Sequence, residues 1–542
     1  HSGSMIRKLV ISLSAFASVF CVSAQNTDAG ADTLQRHIEE VTVRGGLPYS
    51  VMQMRGQGEM QLDMTLMDDL PKILGNADPM HYAQTLPGVQ TNNEYDGGLH
   101  ILGCDNSHNL IGIDGVPIYN ASHLLGIFSV FNPTHFLQMS IRKAANRADF
   151  PNRLGGMVNM TGSHAPHEQP DKSTASYSMG LISSQGTLKI PVRNRSVITL
   201  SGRGCYLNKL YGYALKADES ELGYTFGDAN ATWLFAPDSM NTMWFEAYWG
   251  GDRATMQENS YQADSRLRWG STMLALHWQH SFPQSFHQTF YYTESHSCLG
   301  MDQQVQLKMS AGIRDLGYKG YWQERWGDAG VDAALHSVLP LMPIIGEKKT
   351  DTDRLLSKEL SVYADGNVPL GNSFLLVMGL RLTTFFTHES KNYYAADPSV
   401  TCRYAAKRWN VTLSVSTRHQ HVWQTGFSSM GLPTESWMAA DGRHRPLAGL
   451  SLMASAGRSL FGERMHLQVE LFAKRLRHLW EDDGSLLDML YDGGSAYALS
   501  LQGKGRTYGA NITIEQTRGK LTGWLSYNIE SKIGRASCRE RV

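Results

Sequence analysis

Met465-His-Leu-Gln-Val-Glu-Leu-Phe-Ala-Lys474 carries apolar side chains at alternate positions, with mostly polar ones between them. The same alternation occurs at residues 411–418 and 274–279. Successive side chains of a β-strand point to opposite faces of a sheet, so each segment predicts a strand with one apolar and one polar face. About 17 or 18 such segments, separated by Gly, Asn, Asp or Pro, follow one another beyond Lys172.

The number of segments decides the fold class, because a soluble β-sandwich shows the same alternation. An open sheet of this size curls, splits or closes, and closure leaves no strand edge exposed to lipid. The sequence therefore predicts a large antiparallel transmembrane β-barrel with an apolar exterior and a polar lumen. Aromatic residues near segment ends fit a membrane boundary, with the core of a soluble β domain as the alternative. They are Trp244, Tyr248, Trp249, Tyr291, Tyr292, Tyr321, Trp322 and Trp326.

The amino end has the pattern of a secretory leader. Arg7 and Lys8 precede an apolar stretch at residues 9–22, and the small residues Ser23 and Ala24 follow. This order predicts a signal peptide that is cleaved before Gln25, with a short buried helix as the alternative. Residues 1–4 precede the first Met and are interpreted as upstream translation or a cloning scar.

Composition excludes several other classes of protein. After residue 24 no stretch approaches the roughly 18 to 20 apolar residues of a membrane helix. The net charge of -1 gives no indication of nucleic-acid binding. The cysteines beyond the leader are too scattered for a disulfide framework or a metal site. Fifty-two glycines and 10% aromatic residues suit a long β protein with many turns.

Four ordered motifs give the N-terminal region a family resemblance. They are Leu70-Pro-Lys-Ile-Leu-Gly75, Leu86-Pro-Gly-Val-Gln-Thr91, Ile113-Asp-Gly-Val-Pro-Ile-Tyr-Asn120 and Ser122-His-Leu-Leu-Gly-Ile-Phe-Ser-Val-Phe-Asn-Pro133. In order and spacing they resemble the plug domain of TonB-dependent receptors of the Bacteroidetes type. Glu359-Leu-Ser-Val-Tyr-Ala-Asp365 and Met378-Gly-Leu-Arg-Leu382 resemble a barrel hairpin of that family, and residues 505–509 and 523–527 resemble later barrel strands.

The resemblance implies a mainly β protein with an N-terminal α+β plug domain inside the barrel. A barrel of about 22 strands, the number expected when it is complete, has a lumen too wide for its own side chains to fill. The predicted organisation is a leader at 1–24, a periplasmic arm at 25–45, the plug at 46–165, an incomplete barrel at 166–532 and a non-native tail at 533–542.

The plug motif residues implied by the resemblance are Asp114, Gly115, Pro117, Tyr119, Asn120, Arg153, Gly155 and Gly156. Residues 114–117 form a turn signal after the predicted strand 110–113, and a structural role is favoured over ligand contact. The chain departs from the family at Leu102-Gly103-Cys104, at Ala144-Ala145 and at Met157, which replaces an arginine. In the family such arginines pair with wall carboxylates, so a more loosely held plug is a hypothesis.

Ile38, Glu39, Glu40, Val41, Thr42 and Val43 resemble the TonB box. An extended, β-prone segment on an arm can add as a strand to the sheet edge of a partner, with main-chain hydrogen bonds supplying the affinity. The implied partner is a TonB-type energy-transducing protein. The alternative is that this segment forms the first strand of the plug.

The histidines suggest no metal, cofactor or catalytic site. His419 and His421 would share one face of a strand, without a carboxylate or cysteine nearby in the sequence. His100, His108, His123 and His135 could line a substrate face, but packed or solvated histidine is favoured. No catalytic group of residues is recognised, and no cofactor is predicted.

The last residues, Ser531-Lys-Ile-Gly-Arg-Ala-Ser-Cys-Arg-Glu-Arg-Val542, lack alternation and resemble sequencing-adapter read-through. Residues 533–542 are therefore expected to be unpaired. By family likeness about four or five further strands should follow residues 523–527, and without them the chain is expected not to insert into a membrane.

The leading functional hypothesis is an importer of a scarce nutrient in the outer membrane of a Gram-negative bacterium. An iron chelate is the first candidate cargo, with cobalamin, glycan or peptide as alternatives. The expected partners are the TonB-type protein, outer-membrane lipid, a small-molecule or oligomeric ligand and a candidate surface lipoprotein, but no nucleic acid. The alternatives are a surface binding or signalling receptor without effective transport and, less favoured, a secreted β-rich hydrolase.

Overall fold

The computed structural model describes most of the chain beyond residue 51. The described ranges are 52–55, 59–69, 72–91, 98–162, 172–193, 195–213, 220–258, 263–281, 284–302, 306–324, 326–345, 354–406, 408–425, 436–462, 464–482, 500–516 and 523–536. All of them belong to one compact unit, Val43–Val542. Within these ranges no helix is both long and apolar enough to cross a membrane. The predicted leader and the TonB-box-like segment lie outside the described residues.

The plug is built from short strands around a mixed sheet. The strands are β1 Met52–Arg55, β2 Glu59–Asp63, β3 Val89–Gln90, β4 His100–Ile101, β5 Leu110–Ile113, β6 Val116–Pro117, β7 Ser122–His123, β8 Phe128–Ser129, β9 Gln138–Arg142 and β10 Met157–Thr161. Six of them form a sheet in the order β1-β2-β9-β10-β5-β6, in which only β10 and β5 run parallel. Short 3-10 helices cover Met64–Asp69, Asn106–His108 and Leu124–Gly126.

Helix α1 covers Pro79–Ala83 of the plug. Asp78 caps it, because its side chain accepts a hydrogen bond from the His81 amide at 3.0 Å and Pro79 needs no donor partner in the first turn. The second Asp78 carboxylate oxygen accepts from the Ser129 amide at 2.6 Å. One side chain therefore starts the helix and ties it to β8.

The wall is a 17-stranded antiparallel sheet, in agreement with the predicted 17 or 18 strands. Its strands are β11 Thr174–Met179, β12 Ser183–Arg193, β13 Ser196–Cys205, β14 Ser220–Phe235, β15 Asn241–Glu258, β16 Ala263–Ser281, β17 Ser285–Asp302, β18 Leu307–Glu324, β19 Gly327–Ile345, β20 Leu355–Leu370, β21 Phe374–Phe386, β22 Asn392–Ala405, β23 Trp409–Gln420, β26 Leu447–Leu460, β27 Met465–Asp482, β28 Ser500–Gln516 and β29 Gly523–Ala536. The sheet curves round the plug, since Ser183 of β12 and Asn528 of β29 both bond to plug residues.

The apolar face of the wall points outward. On β16, Leu274 and Leu276 are 42% and 48% exposed, whereas Ala275 and His277 between them are 1% and 0% exposed. The predicted alternation is confirmed, with the polar face turned towards the plug. A soluble sheet buries its apolar face instead, so this wall has the polarity of a sheet whose outer face meets an apolar solvent.

The predicted membrane-boundary position is wrong for three of the aromatic residues. Trp244, Tyr248 and Tyr291 are buried against the plug. They occupy inward positions of their strands, whereas Trp249 and Trp322 are exposed on the outer face. The buried and the exposed aromatic residues differ in whether their position along the strand faces the plug or the outside.

The connections of the wall differ in length between its two ends. The strand ends that are joined by the four longest connections, residues 206–219, 346–354, 421–446 and 483–499, all lie at the same end of the wall, which we call the long-connection end. The first of them contains helix α2, Leu207–Tyr211. The third contains an antiparallel pair, β24 Val422–Thr425 and β25 Ser436–Ala439, which we call the inner hairpin.

The inner hairpin lies on the plug rather than outside the wall. Trp423 is 1% exposed, and Trp437 packs edge-on against Tyr119 of the plug with 4.6 Å between ring centroids. On the wall side, the Leu341 amide donates to the Ser436 hydroxyl at 2.9 Å. The hairpin therefore covers the plug surface around Tyr119.

The prediction that residues 533–542 are unpaired is wrong for residues 533–536. Ile533–Ala536 continue β29 and pair in register with Gly503–Arg506 of β28. Main-chain pairing does not require alternation of side chains, so the absence of that pattern did not predict the end of the strand. Residues 537–542 lie outside the described ranges.

Candidate functional site: the interface between plug and wall

The predicted turn after β5 is confirmed, and it also contacts the wall. Asp114 and Gly115 both have positive φ, 43° and 78°, as in the tight turns that join antiparallel strands. The Asn159 side chain accepts from the Gly115 amide at 2.7 Å. From the wall, Trp244 donates to the Asp114 carboxylate at 3.2 Å and Lys319 donates to the Gly115 carbonyl. The turn is therefore both a structural element and a docking point.

Pro117, Tyr119 and Asn120 of the same motif contact the inner face of the wall. The Pro117 carbonyl accepts from Thr293 at 2.8 Å, and the Asn120 carbonyl accepts from Ser271 at 3.3 Å. Between them, the Tyr119 hydroxyl donates to the Asp315 carboxylate. Each of these predicted residues contacts a wall side chain, which the sequence did not indicate.

Gly155 and Gly156, the last two predicted motif residues, form hydrogen bonds within the plug. The Gly155 amide donates to the His108 carbonyl at 2.9 Å, and the Gly156 amide donates to Asn109 Oδ1 at 2.7 Å. A Cβ at Gly155 would lie 2.1 Å from Asn109 Oδ1, so the close approach requires glycine. Arg153 donates to the Val422 carbonyl of the inner hairpin at 3.5 Å. Within the described ranges it forms no ion pair with a wall carboxylate, contrary to the role implied by the resemblance.

Other cations make the ion pairs that Arg153 does not. Lys143 pairs with Glu470 of β27, and their side chains are only 1% and 3% exposed. Arg147 pairs with Asp328 of β19. A buried charge without a partner is strongly disfavoured, so separating either ion pair would cost free energy. The two pairs therefore tie the plug to two separated parts of the wall. Cations other than Arg153 therefore tie the plug to the wall, and the hypothesis of a more loosely held plug stays a prediction.

The predicted hairpin of residues 359–365 and 378–382 is confirmed as part of β20 and β21. It supplies further docking groups. Asp365 accepts two hydrogen bonds from the Ala148 amide, at 2.8 and 3.0 Å. Arg381 Nε donates to Asn152 Oδ1 at 2.7 Å, and Asn152 Nδ2 donates to Glu359 at 2.8 Å. One sequence signal could have indicated these groups, namely charged side chains at the inward positions of an alternating strand.

A polar cavity of about 60 Å³ lies between the plug and this part of the wall. Tyr119 and Arg153 line it from the plug. The wall contributes Asp315, Lys319, Asp332, His336, Glu359 and Arg381. Val422 of the inner hairpin also lines it, so the cavity lies beneath that hairpin. Its volume and its charged lining suit ordered water.

His123 occupies a second buried charge cluster, between the plug and strands β13–β15. Its Nδ1 lies 2.6 Å from Asp252 Oδ2, and its Nε2 lies 3.3 Å from Asp228 Oδ2. Arg203 pairs with the same Asp228 carboxylate at 2.7 Å. The Tyr224 hydroxyl donates to Asp252. A protonated His123, together with the Arg203 guanidinium, would balance the two negative charges of Asp228 and Asp252.

The protonation of His123 makes plug docking sensitive to pH. Burial alone would lower the pKa of His123, but the carboxylates of Asp252 and Asp228 outweigh it and raise that pKa. A histidine whose pKa is raised in the folded state contributes stability that is complete below the unfolded pKa of about 6.5 and is lost as the pH rises through the folded value.

We expect the thermal unfolding temperature of the receptor to fall as the pH rises above about 6.5, and the His123→Gln variant to show a smaller fall. His135→Gln is the matched control. His135 is also buried in the plug, but it contacts the hydroxyls of Thr232 and Ser201, and burial lowers its pKa to about 3. Equal pH dependence in His123→Gln and the wild type would contradict the assignment.

The remaining histidine predictions have mixed outcomes. His100, His108, His123 and His135 are all packed, as favoured. The expectation that His419 and His421 share one face of a strand is wrong, because β23 ends at Gln420 and each ring lies beside a different carboxylate. His419 lies 2.8 Å from Asp397, and His421 lies 2.9 Å from Glu359. Both carboxylates are distant in sequence, so spacing could not indicate them.

Comparison with known proteins finds likeness in structure only. No family model matches the sequence, and no curated protein matches it. The siderophore receptor PirA from Acinetobacter baumannii matches with a TM-score of 0.56 at 11% identity, over 85% of this chain and 80% of that one. The copper transporter OprC matches with a TM-score of 0.62 at 12% identity, over 89% and 80%.

A third similar structure contains a bound ligand. It is a mutant of the ferric enterobactin receptor PfeA from Pseudomonas aeruginosa in complex with enterobactin, with a TM-score of 0.56, 12% identity, and coverage of 88% of this chain and 91% of that one. At these identities the likeness concerns the fold, which agrees with the plug and wall described above. The chain therefore has the plug-and-barrel fold of the TonB-dependent receptors.

Proposed function

We propose that this chain is a TonB-dependent outer-membrane receptor that imports a scarce nutrient by energised movement of its plug. One observation carries the proposal: a folded plug is tied inside a 17-stranded wall whose inner face is polar and whose outer face is apolar. A lipid bilayer accepts a sheet of this polarity once its two edge strands are also paired, since all main-chain groups then pair between strands and apolar side chains meet the hydrocarbon.

The ligand would approach from the long-connection end. Barrels of this kind have short periplasmic turns and longer extracellular loops, so the connections at 206–219, 346–354, 421–446 and 483–499 would face outward. The inner hairpin enters from that end and covers Tyr119. A ligand would therefore meet the inner hairpin before it reached the plug and the polar cavity beneath.

An iron chelate is the first candidate cargo, because PirA and PfeA are siderophore receptors. Cobalamin, glycan and peptide remain alternatives, and the likeness to a copper transporter adds a metal ion or its complex. The proposed energy source is a TonB-type protein that binds residues 38–43, and a surface lipoprotein is a candidate second partner. The Bacteroidetes-type subfamily stays a prediction from the sequence motifs.

Uptake measurements test this function directly. Cells that express the full-length gene product would be given a panel of radiolabelled ferric siderophores and cobalamin, with and without the gene for the TonB-type partner. We expect at least one ligand to bind in both strains and to accumulate only when the partner is present. Binding without accumulation in both strains would favour the surface-receptor alternative, and the absence of binding to the panel would remove iron chelates as the first candidate.

A further inference from the structure

A second, smaller cavity lies between the plug and strands β23, β26 and β27 of the wall. Its volume is about 10 Å³, which is about the volume of one water-sized sphere. No carboxylate is among the described residues that line it, in contrast to the polar cavity beneath the inner hairpin. Its polar lining consists of three cationic and three hydroxyl-bearing residues, namely Arg153, Arg418, Lys474, Ser416, Thr417 and Ser451.

Lys474 brings a buried positive charge to this cavity. Its residue is only 4% exposed, and its ammonium group donates to the Leu154 carbonyl at 3.3 Å and contacts the Cys104 sulfur at 3.4 Å. Burial raises the pKa of the Cys104 thiol, so the sulfur stays neutral. Within the described ranges Lys474 has no ion pair, whereas the equally buried Lys143 is paired with Glu470.

Arg418 brings a second buried positive charge, and its residue is 3% exposed. Its two terminal nitrogens donate to main-chain carbonyls, among them that of Arg147 in the plug. Asp397 offers it only a carbonyl at 3.5 Å, because the Asp397 carboxylate accepts from the His419 amide and lies 2.8 Å from the His419 ring. No carboxylate lies within ion-pair distance of Arg418 in the part of the chain that the structure describes.

Two polar atoms of the lining residues are buried without a hydrogen-bond partner among the described residues. They are Nε of Arg418 and the hydroxyl oxygen of Ser451. Buried polar groups are nearly always hydrogen-bonded, and a buried charge without a counter-charge is strongly disfavoured. A water molecule in the cavity would satisfy the donors but would not balance the charges of Arg418 and Lys474. A small anion would do both, since ionised acceptors form the stronger hydrogen bonds.

The size of the cavity limits the anion to a single atom. Phosphate, sulfate and carboxylate ligands need several times the volume of one water-sized sphere. A halide ion is only slightly larger than water, and the flexible stem of Lys474 can provide the small adjustment. Arg153 lines this cavity from the plug, but it also lines the cavity that contains carboxylates, so the argument rests on the two wall cations.

We propose that this cavity binds one halide ion, chloride under ordinary conditions, between Arg418, Lys474 and Ser451. The ion balances the two buried cations of the wall where they face the plug residues Ala144, Ala145 and Leu154. It therefore stabilises the docking of the plug against β23, β26 and β27. The inference depends on the contacts of plug and wall, and not on the cargo or on energised uptake.

Thermal unfolding of the purified full-length receptor tests the site. The probes are sodium chloride and sodium gluconate at equal ionic strength, so that screening of other charges is the same. We expect a higher unfolding temperature in chloride, because a ligand that binds only the folded state stabilises it by mass action. The shift should grow with the chloride concentration, and bromide should reproduce it. Equal unfolding temperatures in chloride and gluconate would overturn the proposal.

Three variants separate a halide site from a general effect of the salts. Ser451→Asp places a tethered carboxylate beside the cations, so it should raise the unfolding temperature in gluconate and lose the shift caused by chloride. Lys474→Met should also lose that shift, and in gluconate it should be at least as stable as the wild type, because an unbalanced buried charge is removed. Lys319→Met is the control. It removes another inward lysine, which lines the cavity that contains carboxylates, and it should keep the shift. An undiminished shift in both Ser451→Asp and Lys474→Met would contradict the assignment.

Bromide provides a test that needs no variant. Crystals of the wild-type receptor soaked in sodium bromide should give an anomalous difference peak beside Lys474, Arg418 and Ser451. Bromide peaks at exposed cations alone, with none in this cavity, would overturn the proposal.

Discussion

Replacement of Val41 by proline is expected to abolish energised uptake by the full-length receptor while ligand binding remains intact. Residues 38–43 include β-branched residues that favour strands, and strand addition to a partner would depend on their main-chain donors. Proline removes the donor at its own position and restricts the backbone of the residue before it. Binding should persist, because the ligand site proposed at the long-connection end does not include residues 38–43.

The measurement is accumulation of radiolabelled ligand, with surface binding recorded on the same cells. Val41→Ile is the matched control, since it keeps the amide donor and the β-branched shape and should transport normally. Undiminished accumulation in Val41→Pro would show that residues 38–43 are not the partner segment. Loss of binding together with uptake would point to a folding defect instead.

Replacement of Lys143 by methionine is expected to free part of the plug from the wall. The variant leaves Glu470 as a buried carboxylate without its cation, although the Asn511 amide still donates to it at 3.2 Å. Breaking one partner of a buried ion pair costs about 3–5 kcal/mol, mainly because the remaining charge stays desolvated. The lumen should then leak, and single-channel conductance in planar bilayers should rise above that of the wild type.

The double variant Lys143→Met/Glu470→Leu is the decisive comparison. Replacing both charges with apolar side chains of similar size is often neutral, so conductance should return close to the wild-type level. Lys209→Met, at an exposed lysine of α2, is the control for the loss of a positive charge alone. The same conductance in Lys143→Met as in the wild type would show that this ion pair does not hold the plug.

Much of the fold was predictable because it depends on local patterns. The alternation around Leu274 gave the strands and their two faces, and Asp114-Gly115 gave the turn, since both features are fixed by neighbouring residues. The docking contacts were not predictable. Lys143 meets Glu470 across 327 positions of the chain, and neither residue differs in its local sequence from a solvated charge.

The errors have the same origin. Trp244 and Trp249 are both aromatic residues of β15. Trp244 is buried because its position faces the plug, and Trp249 is exposed because its position faces outward. The carboxylates beside His419 and His421 could not be recognised from spacing, because Asp397 lies on the neighbouring strand β22 and Glu359 lies on β20. The sequence predicts which side chains share one face of a strand. Which residues contact one another across the lumen depends on the register of the complete sheet.

The strand order of the plug sheet determines how it would respond to a mechanical load. β1 is an edge strand, is paired only with β2, and is the first described element after the arm. Tension applied through the arm would therefore reach the β1–β2 ladder before it reached β9 and β10, which lie in the middle of the sheet. Lys143 directly follows β9 and is fastened to the wall through Glu470. Traction would peel the sheet strand by strand from its free edge, which requires less force at any moment than extracting the whole domain against all its wall contacts at once.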